Sequence, residues 1–265
     1  MLALEYDPEL ERQAWIEQGI EQGIEQGIEQ GREEEKFAMV KNLLEAKTPL
    51  KYIVAATGWT EEQILKLTEN NFEEEFSMTI DEMRRKLQRR LKKSRFAHSI
   101  GVANTAVKLA KRFGVDETKT YIAGLLHDCA REFENDELPA QAEIRGIKIG
   151  EVERAMPLLL HAYIGAQMIK EIYGVDDAEI SQAIYRHTVG ARDMTKLDKI
   201  IYFADMIEPN RNYPGVEKLR ALAETAELDE ILLTAFSESI IFVVQKNSLV
   251  HPDTVAARNF LLLNK

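Results

Sequence analysis

AGLLHDCAREF, residues 123–133, is the stretch whose reading decides the fold. AGLL is the apolar run-up of a buried helix, and it delivers two polar side chains in succession, His127 and Asp128. Adjacent residues on a helix point about 100° apart, so the pair can embrace one metal or let the carboxylate bridge two. Arg131 follows four residues after His127 and three after Asp128, which returns it to the same helix face. A guanidinium there is placed for a phosphate oxygen.

Outward from this stretch, four of the five histidines fall into one ordered set: His98, His127-Asp128, His161, His187 and then Asp205. Their settings, RFAHS, GLLHDCA, LLLHAY, YRHTVG and YFADMIEP, are helical and apolar. Taken singly, an inward His161 is a satisfied core residue and an inward Asp a cap or ion-pair partner. Together, two carboxylates and four imidazoles are hard to bury without a shared cation. Imidazole and carboxylate suit iron, manganese or zinc. Asp205 ends LDKIIYFAD, where Leu197, Ile200, Ile201 and Ala204 make the apolar stripe. Pro209 stops that helix, and the chain can bring Arg211 back over the site. His187 precedes Thr188 and Gly190, a helix-end turn able to offer a hydroxyl and free amides. Cys129 reads as core, and His251 lies outside the ordered set.

The 265 residues suit one or two domains. One cysteine excludes an internal disulfide and points to a reducing, cytoplasmic compartment. Glu5, Asp7, Glu9 and Glu11 do not read as a signal peptide. No apolar run approaches the roughly 20 residues of a membrane span. The net charge of −11 belongs to residues 1–77, where 18 acidic residues face 7 basic ones; the remaining 27 and 27 cancel. Such acidity argues against nucleic acid as a partner. The run Arg84, Arg85, Lys86, Arg89, Arg90, Lys92, Lys93 and Arg95 reads as a solvated face, with a funnel for a polyanion as the minor reading.

Residues 1–77 form an acidic helical extension. Residues 16–31 repeat as IEQGIEQGIEQGIEQG. A four-residue period drifts by about 40° per repeat around a helix, and each Gly costs roughly 1 kcal/mol against Ala. A solvated spacer helix is one reading, a self-association seam for a homo-oligomer the other. Helices are expected near 34–46, 49–56 and 60–68, with Thr60 and Gln63 as a capping box. TGWTEEQI resembles the second half of a helix-turn-helix, though Glu61 and Glu62 argue against DNA reading. Residues 9–70 also resemble the C-terminal tail of transposon-associated nuclease-like proteins, without the nuclease core. Residues 71–77 read as a linker, and 78–265 as an all-α domain without strands.

RFAHSIGVANTAVKLA (95–110), AGLLHDCAREF, HTVGARDMTKLDKIIYFADMIEPNR (187–211) and VHPDTVAARN (250–259) together resemble the HD-domain metal-dependent phosphohydrolases. More closely, they resemble the YqeK family of bacterial symmetrical diadenosine tetraphosphate hydrolases. The resemblance covers 78–265 and implies an HD-domain helical bundle. It implies iron, one or two ions with manganese or another divalent metal as substitutes, held by His98, His127, Asp128 and Asp205. His161 and His187 would hold a second metal or contact phosphate. The implied substrate is a dinucleoside polyphosphate cut at its centre, with ADP as product. Arg131 and Arg211 would then stabilise the departing phosphate, carrying charge to phosphate and not to the metal. Thr188, Gly190 and residues 247–251 are further nucleotide-contact candidates. Alternatives are a guanosine tetraphosphate or other nucleotide phosphohydrolase, or a non-catalytic assembly protein that senses nucleotide.

Overall fold

A computed structural model describes residues 48–69 and 78–264, with residues 36, 39, 40, 43, 44 and 46. The glycine-isoleucine repeat and the expected linker at 71–77 lie outside the described residues. The chain divides into two units, Met1–Phe76 and Ser77–Lys265.

In the first unit, α1 (Leu50–Thr57) is closed by Gly58 in the left-handed region and followed by α2 (Glu61–Glu69). The capping box forms: Thr60 N–H donates to Gln63 Oε1 at 2.8 Å, and Gln63 N–H to Thr60 Oγ1 at 3.2 Å. Residues 36, 39, 40, 43 and 44 are also helical, within the span expected at 34–46. Val40, Ile53 and Ile64 make a small core.

The second unit has eleven α-helices and no strand among the described residues. They are α3 (Ile80–Arg90), α4 (Lys93–Phe113), α5 (Glu117–Leu126), α6 (Leu138–Ile144), α7 (Glu151–Ala155) and α8 (Leu160–Tyr173). Then come α9 (Ala178–Arg186), α10 (Lys196–Ile207), α11 (Val216–Thr225), α12 (Leu228–Gln245) and α13 (Pro252–Leu263). The starts follow local chemistry. Asp116 accepts from Lys119 N–H to begin α5, Asp177 from Glu179 and Ile180 N–H to begin α9, and Thr195 with Asp198 forms a capping box on α10.

Helices α4, α5, α8, α9 and α10 surround the centre of the main core. Val102, Ala103, Ala106, Leu109 and Ala110 stripe α4 at helical spacing and are buried. Helix α5 crosses it backbone to backbone, since a Cβ on Gly124 would lie 2.8 Å from Ala103 Cα. That approach brings the end of α5 beside the first turns of α4, where His98 sits. Buried Ile200, Ile201, Phe203 and Ala204 fix α10 in the same core, so that Asp205 lies at its edge.

Candidate metal centre

The helix carrying AGLL does not continue through the stretch that follows it. Helix α5 ends at Leu126; His127 caps it, and Cys129–Glu132 tightens into a 3-10 turn closed by Arg131 N–H on the Asp128 carbonyl at 2.9 Å. The helical spacing expected from His127 to Arg131 is therefore replaced by this turn, which drives Asp128 inward: it is 3% exposed.

Four histidines meet here, and each is anchored by its outer nitrogen. His127 Nδ1–H donates to the Gly124 carbonyl at 2.7 Å, His161 Nδ1–H to Leu158 at 2.5 Å, and His187 Nδ1–H to Ile184 at 2.7 Å. His98 Nδ1–H donates to Glu208 Oε1 at 3.0 Å. A carbonyl or carboxylate oxygen only accepts, so each ring carries a hydrogen on Nδ1 at its outer contact. Every Nε2 then faces inward, and offers its lone pair to a cation when it carries no proton.

Those lone pairs face one another. His98 and His127 Nε2 lie 3.3 Å apart, and His161 and His187 Nε2 lie 3.1 Å apart. Asp128 lies between the pairs. Its Oδ2 is 3.9 Å from His98 and 3.8 Å from His127, while its Oδ1 is 3.1 Å from His161 and 3.9 Å from His187. Asp205 Oδ1 adds a second carboxylate, 2.9 Å from His98 Nε2 and 3.9 Å from His127 Nε2. Bare lone pairs at such distances repel unless a proton or metal cation lies among them. The donor set therefore fits a divalent metal, and outer partners that fix ligand tautomers are the usual support of such a centre.

Electrostatics agree. Burial opposes ionisation of Asp128, yet the charge of His127, with the hydrogen bond and charge of His161, holds its carboxyl well below the ordinary range. Burial likewise opposes Asp205, and the His98 hydrogen bond with the His127 and Arg211 charges overrides it, lowering its pKa. Burial pushes His187 down to about 3, aided by the charges of His127 and His161. His98 differs: burial opposes its charge, but the hydrogen bond and charge of Asp205, with the Glu208 hydrogen bond, raise its pKa, so a proton competes with a cation there.

Arginines ring the centre. Arg131 is half-buried on the 3-10 turn, within reach of the Arg95 and Asp128 charges, and its guanidinium has no hydrogen-bond partner among the described residues. Arg211 donates to the Asp205 carbonyl at 2.8 Å and to the Asp205 carboxylate. That contact corrects the expectation that Arg211 serves phosphate alone, because it holds a candidate ligand. Thr188 Oγ1 lies 3.2 Å from His187 Nε2. Gly190 offers no free amide: its N–H donates to the Arg186 carbonyl at 2.9 Å. The glycine is needed for space, since φ is +76° and a Cβ would lie 2.7 Å from the Phe236 ring. His251 caps α13 and pairs with Glu153 at 3.0 Å, apart from the ligand set. Cys129 is buried core.

Two residues escaped the sequence reading. Arg95 donates to Asp128 Oδ2 at 3.1 Å. It stands three residues before His98, a spacing that signals a shared face, but it also closes the basic run that begins at Arg84. Glu208 is 1% exposed and touches His98. Its spacing of three from Asp205 carried the same signal.

Residues 95–210 match the HD domain family. A Bacillus subtilis protein named bis(5'-nucleosyl)-tetraphosphatase, symmetrical, is 40% identical over 176 residues, covering 66% of this chain and 94% of that protein. A Staphylococcus aureus protein of the same name is 33% identical over 186 residues, covering 69% and 94%. The crystal structure of a "predicted HD superfamily hydrolase involved in NAD metabolism" from Clostridium acetobutylicum matches with a TM-score of 0.68 and 37% identity. It covers 71% of this chain and 98% of that one.

Proposed function

The chain belongs to the HD-domain symmetrical bis(5'-nucleosyl)-tetraphosphatases, and from that premise and the geometry of its histidines we propose a metal-dependent hydrolase of dinucleoside polyphosphates. It cleaves diadenosine tetraphosphate at its centre. Water adds to one of the two inner phosphorus atoms, the oxygen bridging them leaves with the other half, and two ADP result. The observation that carries the reading is the pair of Nε2 contacts with Asp128 between them.

His98, His127, Asp128 and Asp205 would hold the first metal, with iron as the assignment and manganese as a workable substitute. His161 and His187, facing Asp128 Oδ1, would hold a second ion or phosphate itself. A divalent cation there supplies Lewis acidity and local positive charge. The chain's own residues do the rest. Phosphoryl transfer demands positioning and charge neutralisation above all. Arg131, half-buried and without a hydrogen-bond partner among the described residues, is a guanidinium available to a phosphate oxygen. Arg95 and Arg211 hold the carboxylates and add positive charge beside them. Among the described residues no helix is long and apolar enough to cross a membrane. A cytoplasmic setting suits a single, free, buried cysteine.

Guanosine tetraphosphate hydrolysis and catalysis-free nucleotide sensing are the rival readings. Metal-quantified protein, incubated in parallel with diadenosine tetraphosphate and guanosine tetraphosphate, separates them. Turnover of the first alone is expected. Turnover of the second alone, or binding of either without turnover, would overturn the proposal.

A further inference from the structure

We propose that Glu208 is a positioning residue that selects which nitrogen of His98 faces the metal centre. The proposal deepens the reading of His98 as a ligand and rests on it. Glu208 lies just past α10, three residues beyond Asp205, and is 1% exposed. Three N–H donors meet its carboxylate. His98 Nδ1 lies 3.0 Å from Oε1; Asn210 N and Nδ2 lie 2.8 and 2.9 Å from Oε2. A carboxylate can accept all three, which is how a buried charge at this position is satisfied.

Two further features belong to the same device. Helix α4 carries Gly101 one turn after His98, and a Cβ there would lie 2.3 Å from Glu208 Oε2. The glycine makes the slot that the carboxylate fills. The turn itself is clamped from α11. Arg220 Nε donates to the Ile207 carbonyl at 2.9 Å, and its Nη2 donates to the Glu208 and Arg211 carbonyls at 2.7 and 2.9 Å. The other three histidines take main-chain carbonyls three residues back along the chain, but His98 depends on a side chain 110 residues away. It is the one ligand whose tautomer a side-chain substitution can reverse directly.

Glu208→Gln is the informative variant because it keeps the shape and changes the donor pattern. The main-chain N–H of Asn210 cannot turn away, so the amide oxygen must face it. The amide NH2 then faces His98 Nδ1, which must accept, and the imidazole hydrogen moves to Nε2. That blocks the lone pair aimed at the metal. Glu208→Ala removes the carboxylate without imposing the wrong tautomer, since water can accept from Nδ1–H.

The test uses the full chain stripped of metal. Mn2+ alone is titrated in, with free Mn2+ read by electron paramagnetic resonance. Histidine tautomers are read separately by 15N NMR of the metal-free protein at alkaline pH. Glu208→Gln is expected to bind Mn2+ roughly 10- to 100-fold more weakly and to show His98 protonated on Nε2. Glu208→Ala is expected to lose less affinity than Glu208→Gln. Gly101→Ala, which displaces the carboxylate and alters no ligand, is expected to weaken Mn2+ in the same direction and carries the affinity test if Glu208→Gln does not fold. Affinity within threefold of the parent in the glutamine variant, or retention of its Nδ1–H tautomer, overturns the proposal. Failure of the parent to bind Mn2+ overturns the assignment of His98 as a ligand and removes the basis of the proposal with it.

Discussion

An imidazole offers a metal one nitrogen, and what the other nitrogen touches decides which. At His127, His161 and His187 that decision is local, because each Nδ1–H donates three residues back along its own chain. Such histidines are legible in a sequence once the helix is. His98 and its partner Glu208 are not, because their contact depends on a turn far along the chain. Asp128 is the residue on which both imidazole pairs depend, since its two oxygens face different pairs. Asp128→Ala should therefore abolish turnover and remove bound metal, with helicity by circular dichroism largely retained. Full metal content by elemental analysis would contradict its role as a ligand. The arginines should separate from one another. Arg131→Ala removes a charge-assisted contact that strengthens in the transition state, a loss of roughly 2–4 kcal/mol or about 30- to 1000-fold in rate, with metal retained. Arg211→Ala should lower both rate and metal content, because Arg211 holds Asp205. Equal metal content in the two variants would show that the Asp205 contact is incidental.

Among the elements, the helices were legible and their ends less so. The capping residues Asp116, Asp177 and Thr195 announce α5, α9 and α10. Apolar periodicity alone carried the expected helix on past His127, whereas the chain breaks into a 3-10 turn there. The break matters to the site, because it turns Asp128 inward. The turn after α9 reads in the sequence for its chemistry, and at Gly190 the structure adds a packing demand. Phe236 on α12 is 1% exposed and lies against that glycine. Nothing local to 187–190 reports a ring arriving from over forty residues away. Gly190→Ala should cost about 2–4 kcal/mol through positive φ and overpacking together. The melting temperature should fall by several degrees, measured by calorimetry, with nucleotide affinity of the folded fraction unchanged. An unaltered melting temperature would show that Phe236 yields without cost.

For the molecule as a whole, the ordered histidine set falls after residue 78 and the charge excess before it. We expect residues 78–265 alone to fold and turn over substrate, and to differ from the full chain in oligomeric state by light scattering. The glycine-isoleucine repeat explains the second expectation. Burial of Ile16, Ile20, Ile24 and Ile28 against another copy, at roughly 1.5–3 kcal/mol each, offsets four glycine penalties only if most of the stripe is covered. Identical oligomeric states would make the repeat a spacer. Loss of activity on truncation would mean that the two-part division is wrong. What no spacing could give is the bond that breaks, since that depends on how a substrate lies across the centre. Mass spectrometry of products formed from diadenosine tetraphosphate in 18O-water reads that bond directly. The account predicts ADP alone, with a single 18O in one of the two molecules released per turnover. Labelled AMP or ATP would contradict it.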